Sequence, residues 1–577
     1  MRFAQQLLAN PQPALCDNLA EQLGASKNGA EENHTEEPHR QVLSFPNTAI
    51  AAAPLPPAVE VPFAAEMNAP ETRFRSEMGQ ISRHSAVFFL GTLFTAAAGY
   101  FFKIYVARVL GAGALGVYAL GMTIVGFFGL FNGLGLPQSA ARFVASYSAT
   151  GQYERLRAFL RHALLTVAVA NVVLAGALVS AGPWLARNIY HSPDLAGYFK
   201  LFSGLLVLAG FTTLLGQILA GYKDIALRTI ITNFISSPLN IILGVLLLAA
   251  GMGLRGYVMA QLASAAIVVL LLFAAVWKLT PGSARNLVAS APKMESEVLW
   301  FSAAVFGVSL LEFLLAQADK IMLGIFLDVR QVGIYAIAGA LVGFVPVALQ
   351  SVNQIFSPTI ADLHARGEHA LLGRLFQTLT KWIVGLTLPM AFVMIIDSKP
   401  LMRLFGPAFE AGWMVLVLGT LGQLINAGTG SVGNLLLMSG NQRRLIRVQA
   451  IMAAFVVVAT AGLVRPFGIV GVALAAALTN AITNYLNLRE VRAALQLSPY
   501  NRTYLRLLLP CAASVAAVLG VRLLTAGFHP EWMTIAAALL VGYAAFCGLA
   551  LLVGLDDDDR MIVTAIQRRL LGAVGRP

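Results

Sequence analysis

The sequence predicts an all-α polytopic membrane protein with about 14 transmembrane helices, and three observations lead to this fold class. Of the 577 residues, 58% are apolar and only 12% are charged, whereas soluble domains average about 45–50% and about 25%. Fourteen apolar stretches follow residue 82, most of them near the ~20 residues that cross a bilayer. Lys and Arg residues are concentrated in alternate loops. This composition excludes a soluble enzyme, a nucleic-acid binder and a disordered scaffold.

Residues 1–81 differ from the rest of the chain and are predicted to form a disordered cytoplasmic tail. The first 80 residues carry 10 acidic and 5 basic side chains, with many prolines and no helical periodicity. They lack the charged start, apolar core and cleavage site of a signal peptide. A native start at Met67 or Met78 is the alternative interpretation of this segment.

The apolar stretches follow one another at short intervals and set the domain organisation. In order, they are Ala86–Ala107, Gly113–Phe131, Leu164–Ala181, Phe199–Ala220, Thr229–Gly251, Tyr257–Leu279, Trp300–Phe326, Gly333–Phe356, Ile383–Ile396, Trp413–Leu437, Val448–Val464, Ile469–Leu488, Leu507–Thr525 and Trp532–Leu555. The ninth is short and is expected to begin near Leu375. We predict an N-terminal six-helix lobe at 82–281 (the first half), a C-terminal six-helix lobe at 282–495 (the second half), two additional helices at 496–555 and a cytoplasmic amphipathic tail at 556–577. The Asp556–Asp559 run is expected to form a solvated face of that tail.

Loop charge predicts the orientation in the membrane. With the tail in the cytoplasm, cytoplasmic segments carry 26 Lys and Arg residues and outer loops carry 11, and the distal part of the tail holds the remaining 3. This excess favours an even number of crossings with both termini in the cytoplasm.

The two halves share an internal repeat. Leu110-Gly111 leads to Gly116-Val117-Tyr118, and Leu323-Gly324 leads to Gly333-Ile334-Tyr335. Further on, Ala145, Gly151 and Leu156 match Ala361, Gly367 and Leu372 in spacing. Because six spans separate the copies, they have the same orientation and are related by an axis along the membrane normal.

Several of these motifs resemble a known family. The segments that carry the resemblance are Ala107-Arg108-Val109-Leu110-Gly111, Gly135-Leu136-Pro137, Ala141-Arg142-Phe143-Val144, Ala318-Asp319-Lys320-Ile321-Met322-Leu323-Gly324 and Asn353-Gln354-Ile355-Phe356-Ser357-Pro358. Over roughly residues 82–500, the chain resembles the polysaccharide flippases of the multidrug/oligosaccharidyl-lipid/polysaccharide exporter superfamily.

The resemblance implies a V-shaped transporter of two lobes in the inner membrane of a bacterium. Its substrate would be a lipid-linked oligosaccharide on undecaprenyl pyrophosphate, used in O-antigen, capsule or exopolysaccharide assembly. Membrane lipids and polysaccharide polymerases are the implied partners, with no nucleic acid and no catalytic residues. The rival hypotheses are a multidrug/cation antiporter of the same superfamily and a membrane-embedded O-antigen polymerase or ligase.

Amide side chains form polar stripes on four predicted spans and are candidate contacts for sugar hydroxyls. They are Asn233 and Asn240, Gln350 and Asn353, Gln423 and Asn426, and Asn480 and Asn484. Because amides do not face lipid without cost, we expect the stripes to line a hydrated central cavity. Hydrogen bonding between helices is the alternative.

Two cations at the end of the first span are candidate ligands for the lipid phosphate. An ammonium or guanidinium group is a natural partner for phosphate, and Lys103 lies about a turn and a half before Arg108. The related lipid II flippases bear cavity charges in this stretch, which favours Lys103. For Lys103 the alternative is snorkelling to the headgroups, and for Arg108 it is a structural or headgroup contact.

Two carboxylates in the seventh span are candidates for ion coupling. Glu312 and Asp319 are seven residues apart and therefore share one helix face. A carboxylate there can carry H+ or, with amide oxygens, bind Na+. A structural ion pair for Asp319 and a satisfied buried acid for Glu312 are the alternatives. We expect no metal centre and no cofactor beyond such a coupling ion.

Overall fold

The computed structural model describes the backbone at residues 69–285, 294–525, 527, 530–553, 556 and 559. Side chains are described from residue 98 onward, except at positions 355 and 502. Most of the predicted cytoplasmic tail and residues 560–577 of the predicted amphipathic tail lie outside this range. By their contacts, residues 79–577 form one unit, which contains both halves and the last two helices.

The described chain is helical throughout and contains no strand, as the composition predicts. The helices of the first half are α1 (Ala69–Leu130), α2 (Leu136–Ala149), α3 (Tyr153–Trp184), α4 (Pro193–Ala196), α5 (Phe199–Gly221), α6 (Ile225–Thr229), α7 (Ser236–Ala249) and α8 (Gly253–Leu279). After the short α9 (Gly282–Arg285), the second half contains α10 (Ser296–Phe326), α11 (Val329–Val342), α12 (Val347–Ala365), α13 (His369–Ile396), α14 (Ser398–Arg403), α15 (Trp413–Thr429), α16 (Val432–Met438) and α17 (Gln442–Leu495). The chain continues with α18 (Leu508–Leu524) and α19 (Glu531–Val553).

Eleven of the described helical segments are long and apolar enough to cross a membrane, or twelve when the bent pair α11 and α12 counts as one span. Two of them join a pair of predicted spans across a single glycine outside helical geometry, Gly111 in α1 and Gly468 in α17. Both glycines have positive φ, which side-chain-bearing residues rarely adopt. The fourteen predicted stretches therefore coincide with helical segments, and the predicted fold class is confirmed.

Two spans that are predicted to be continuous are interrupted in the structure. The eighth is divided into α11 and α12, which meet at an angle of 50°. The tenth is divided into α15 and α16 at Gly430, which has a φ of 67°. A break of this kind within apolar sequence leaves no gap in hydropathy, so only helix-breaking residues signal it, here Gly430 and Pro346. The ninth span begins at His369, consistent with the expected extension.

The internal repeat is visible in the turns that follow α2 and α12. Gly151 and Gly367 have φ values of 68° and 73° and occupy equivalent places before the next long helix. Each turn is closed by the same backbone bond: Gln152 N–H donates to the Tyr147 carbonyl, and Glu368 N–H donates to the Leu363 carbonyl. Both bonds are 3.0 Å long. The match predicted from Gly151 and Gly367 is therefore a match of conformation as well.

The last two helices pack against each other and against α13 of the second half. Ion pairs hold them at both ends, with Lys381 bound to Asp556 at 3.0 Å and to Asp559 at 2.7 Å, and Arg522 bound to Asp397 at 3.0 Å. Lys381 and Asp559 are buried, so the expectation of a solvated face was wrong for these aspartates. The sequence could not reveal this pairing, because about 175 residues separate the partners.

Candidate substrate cavity between the two halves

A cavity of about 400 Å³, the central cavity, lies between the first and second halves. Residues of α1 and α8 line one side, and residues of α10 and α11 line the other. Its polar lining groups are Lys103, Tyr118, Thr123, Tyr257, Gln317 and Lys320. No Asp or Glu is among the described residues that line it. The cavity therefore combines two cations and several neutral hydrogen-bonding groups with an otherwise apolar wall.

Lys103 lines the central cavity, as the predicted phosphate contact requires. Lys320 lines the same cavity from the second half. The ammonium group of Lys320 donates to Gln317 Oε1 at 2.7 Å, so its described partner is a neutral amide. Sequence reasoning did not select Lys320 as a site residue, although a cation beside Asp319 in an apolar span is a signal of the same kind.

Hydroxyl groups of the first half form a local network beside Lys103. The amide nitrogen of Gln261 donates to the Tyr118 hydroxyl at 2.7 Å, and the Tyr118 and Tyr257 rings are in edge contact with centroids 5.0 Å apart. Burial fixes these rings in place, and their hydroxyl groups give this wall donors and acceptors suited to sugar hydroxyls.

A second cavity of about 650 Å³, the second-half cavity, is enclosed by α10, α11, α15 and α17. Lys320 lines both cavities and therefore lies between them. Asp319 lines only the second-half cavity, where its carboxylate accepts from the Tyr335 hydroxyl at 2.8 Å and from the backbone N–H of Lys320 at 2.7 Å. The predicted carboxylate thus lies one residue from the cation of the central cavity.

The amide stripes of α15 and α17 meet each other beside the second-half cavity. Asn426 donates to Gln423 at 3.1 Å, Asn484 donates to the Asn480 side chain at 2.9 Å, and Asn480 donates to the Gly422 carbonyl at 3.3 Å. Gln423 and Asn480 also line the cavity, while Asn484 is buried. Of these bonds, only the one from Asn480 to Gly422 joins the two helices. The role of these amides as substrate contacts stays a prediction.

The remaining amide candidates lie outside the described linings of the two cavities. Asn353 accepts from Ser431 at 2.6 Å, which ties α12 to the segment before α16. Gln350 and Asn233 are exposed on the protein surface. Asn240 is partly buried, and its Oδ1 has no described partner. Their role as substrate contacts stays a prediction.

Arg108 and Glu312 also lie outside the described linings of both cavities. Arg108 donates from Nε to the Leu404 carbonyl at 2.7 Å, so it joins the end of the first span to the second half. This contact fits the structural alternative. Glu312 is exposed on α10, and its role in coupling stays a prediction.

At one end of the central cavity, α1 and α11 approach each other backbone to backbone. A Cβ atom on Gly116 would lie 1.8 Å from the Val329 carbonyl oxygen, and a Cβ on Gly333 would lie 2.0 Å from the Ala112 carbonyl oxygen. Gly116 and Gly333 are equivalent in the repeat, and so are Ala112 and Val329. The two close approaches, which we call the glycine crossing, are therefore one contact repeated by pseudo-symmetry.

Beyond the other end of the second span, the halves are joined by polar contacts that we call the ion-pair seam. Arg142 of α2 binds Glu297 of α10 at 3.0 Å, and Arg155 binds Glu295 at 2.9 Å. Tyr147 donates to Glu295 at 3.2 Å. Burial, together with the charge of Glu295, raises the pKa of Tyr147 to about 12. These ion pairs are partly exposed, whereas the glycines of the glycine crossing are buried.

Within the described part of the chain, no three His, Cys, Asp or Glu residues come together as a metal site would require. The chemistry available at the two cavities is therefore ionic and hydrogen-bonding, with Lys103 and Lys320 in the central cavity and Asp319 beside it.

Comparisons with known proteins support this description. The profile of the polysaccharide biosynthesis protein family matches residues 81–364. The probable low-salt glycan biosynthesis flippase Agl15 of Haloferax volcanii is 21% identical over 410 residues, which cover 70% of this chain and 82% of that protein.

Solved structures show the same fold. A lipid II flippase, MurJ, in an inward closed conformation superposes with a TM-score of 0.62 at 16% identity, over 81% of this chain and 98% of that one. An inward-facing multidrug resistance transporter of the MATE family superposes with a TM-score of 0.56 at 16% identity, over 69% and 94%. The chain therefore resembles the polysaccharide biosynthesis proteins over residues 81–364 and shares its fold with these two transporters.

Proposed function

We propose that this protein moves a lipid-linked oligosaccharide from the cytoplasmic to the outer leaflet of a bacterial inner membrane. The observation that carries the proposal is the central cavity, in which Lys103 and neutral polar groups face a space between two repeated halves. An ammonium group in a largely apolar wall favours an anionic headgroup. Hydroxyl and amide groups suit the attached sugars.

In this mechanism, the phosphate of an undecaprenyl pyrophosphate carrier contacts Lys103 while the lipid tail stays in the bilayer at a lateral opening. Movement of one half against the other then exposes the headgroup on the other side. The glycine crossing supports such a movement, because it is a symmetric contact without ion pairs to break. Membrane lipids and a polysaccharide polymerase are the expected partners.

Ion coupling is assigned to Asp319 in this proposal, with Glu312 as the second candidate. Asp319 lines the second-half cavity, and Gln423 and Asn480 supply amide oxygens on its wall. These oxygen donors suit Na+, and the carboxylate alone suits H+. Asp319 accepts from the backbone N–H of Lys320, and Lys320 lines the central cavity. Binding of an ion at Asp319 therefore acts directly on a residue of the central cavity.

The distribution of charge weighs against the rival antiporter. A site for organic cations needs carboxylates in its wall, whereas the described lining of the central cavity carries two lysines and no acid. A membrane-embedded polymerase or ligase is less favoured, because the stretch between α3 and α5 offers only Arg187, His191 and Asp194 for chemistry.

Transport in proteoliposomes tests the proposal. The full chain is reconstituted with a fluorescent undecaprenyl-pyrophosphate-linked oligosaccharide, and a membrane-impermeant quencher reports the outer leaflet. We expect flipping to depend on the protein and to fall to background in Lys103→Ala, while Lys278→Ala, an exposed lysine outside both cavities, flips normally. Undiminished flipping by Lys103→Ala that inserts normally would contradict the role of Lys103, and the absence of any flipping would contradict the function.

A further inference from the structure

The second-half cavity is much larger than a coupling ion requires. Its volume is about 650 Å³, whereas a water molecule in the liquid occupies about 30 Å³. Pockets for small organic ligands have volumes of about 300–1,000 Å³. An ion at Asp319 therefore fills only a small part of the second-half cavity, and the remaining space is of the size that binds part of an organic substrate.

The second-half cavity adjoins the central cavity along α10 and α11. Lys320, Ala336 and Ala340 line both cavities. Two of these three residues are alanines, so only short side chains of α11 lie where the cavities meet. A substrate in the central cavity is therefore next to the second-half cavity.

The internal repeat shows that a side chain is missing from the wall of the second-half cavity. Counted from the match of Gly116 with Gly333, Met122 of the first half corresponds to Gly339 of the second half. Met122 lines the central cavity, and Gly339 lines the second-half cavity. A Cβ atom on Gly339 would have no atom within 4 Å. The second half therefore has open space at a position where the first half carries a long side chain.

Neutral polar groups on the wall of the second-half cavity suit sugar hydroxyls. Thr479 and Thr483 line it, and their hydroxyls each donate to a carbonyl of their own helix at 2.7 Å, which leaves the hydroxyl oxygens as acceptors. Gln423 also lines it and accepts from Asn426 at its Oε1. In the described part of the chain, the amide nitrogen of Gln423 donates to no residue, so this wall offers both donors and acceptors.

We infer that the second-half cavity is a subsite for the distal sugars of the lipid-linked oligosaccharide. The inference rests on the proposed function and extends it to the class of substrate, a carrier that bears several sugars. The central cavity, at about 400 Å³, lies near the lower end of the range for organic ligands and holds the pyrophosphate with the first sugar. Further sugars pass Ala336 and Ala340 into the second-half cavity, whereas a carrier with one sugar does not reach it.

The test compares flipping of two carriers by the full chain in proteoliposomes. One is undecaprenyl pyrophosphate bearing a single N-acetylglucosamine, and the other bears a tetrasaccharide that ends in N-acetylglucosamine. A galactosyltransferase with radiolabelled nucleotide sugar, added outside the vesicles, labels the terminal sugar of either lipid in the outer leaflet. The readout is the ratio of the two flipping rates.

Gly339→Met, which introduces the first-half residue, is expected to fill part of the second-half cavity. It should slow flipping of the tetrasaccharide relative to the monosaccharide by about tenfold or more, the discrimination that one or two methylene groups produce in a binding pocket. Gly462→Met is the matched control and keeps the wild-type ratio, because Gly462 is an exposed glycine of α17 outside both cavities, with open space around it.

The outcomes separate this inference from the proposed function. A wild type that flips both carriers, together with a Gly339→Met variant that keeps the wild-type ratio, overturns the subsite and leaves the flippase proposal standing. Equal slowing of both carriers in Gly339→Met also overturns the subsite. A wild type that flips neither carrier overturns both proposals. Should Gly339→Met fail to fold, Thr483→Val removes a hydroxyl of the same wall without adding bulk and is expected to lower the ratio, and an unchanged ratio would reject the inference.

Discussion

The two halves contribute differently to the two cavities. In the first half, Phe102 precedes Lys103, and Tyr118 bonds to Gln261. In the second half, Asp319 precedes Lys320 and accepts from Tyr335. Lys103 and Tyr118 line the central cavity, whereas Asp319 and Tyr335 line the second-half cavity and Lys320 lines both. This contrast fits the proposal that both halves contact the substrate and that only the second half binds the coupling ion.

The largest expected effect comes from removing the acid that distinguishes the halves. In Asp319→Asn, the carboxylate that binds H+ or Na+ is lost, so flipping in proteoliposomes is expected to lose its entire dependence on an ion gradient. The first-half variant Tyr118→Phe provides the matched comparison. It should keep that dependence, because the hydroxyl it removes bonds to Gln261 and not to an acid. Gradient dependence retained in Asp319→Asn would move the coupling site elsewhere, with Glu312→Gln as the next variant.

Equal effects are expected where the halves are equivalent. In Gly116→Val and Gly333→Val, the new Cβ lies within about 2 Å of a facing carbonyl oxygen, so the glycine crossing has to open. We expect both variants to slow flipping to a similar degree, about tenfold, and to increase labelling of a cysteine placed at that end of the cavity.

Gly113→Val and Gly339→Val are suitable controls, because a Cβ at either position has open space around it. Gly113→Val, which lies outside both cavities, should flip normally, whereas Gly339→Val controls only for the crossing because Gly339 lines the second-half cavity. A large effect of one crossing variant with none of the other would show that the contact is not symmetric in function.

The smallest effect concerns the helices attached only to the second half. Burial opposes ionisation of Asp556, but hydrogen bonding to Lys381 and the charges of Lys381 and Arg506 lower its pKa. The pair therefore stabilises the fold above the ordinary pKa of an aspartate, and this contribution is lost as pH falls through the lowered value. Asp556→Asn is expected to lower the thermal midpoint of unfolding by a few degrees at neutral pH. In acid, the variant and the wild type should unfold at the same midpoint. An unchanged midpoint at neutral pH would show that Lys381 is satisfied by Asp559 alone.

Sequence patterns predicted the helices well, because burial in lipid requires long apolar segments whatever their tertiary partners. They selected Lys103 and Asp319 as candidates, since ionisable groups in apolar spans seldom face lipid, and the two residues line the central and second-half cavities respectively. They did not predict the breaks within the eighth and tenth spans, because hydropathy is continuous across Gly430 and across the α11–α12 bend. Local geometry decides those breaks.

The missed features depend on contacts between distant residues. Arg108 bonds to the backbone of Leu404, a partner that no local pattern identifies. Lys381 lies in an apolar span without an obvious function, and only the fold brings Asp559 to it. Lys320 was accessible in principle, because it is a cation in the apolar sequence of the seventh predicted span.

The most direct measurement is an electron cryomicroscopy map of the full chain with bound undecaprenyl-pyrophosphate oligosaccharide. We predict that the two phosphates lie in the central cavity, with Lys103 Nζ about 2.7–2.9 Å from a phosphate oxygen. The sugars should face the hydroxyl of Tyr118. Pyrophosphate bound outside the central cavity, or bound there with Lys103 turned away, would contradict the account.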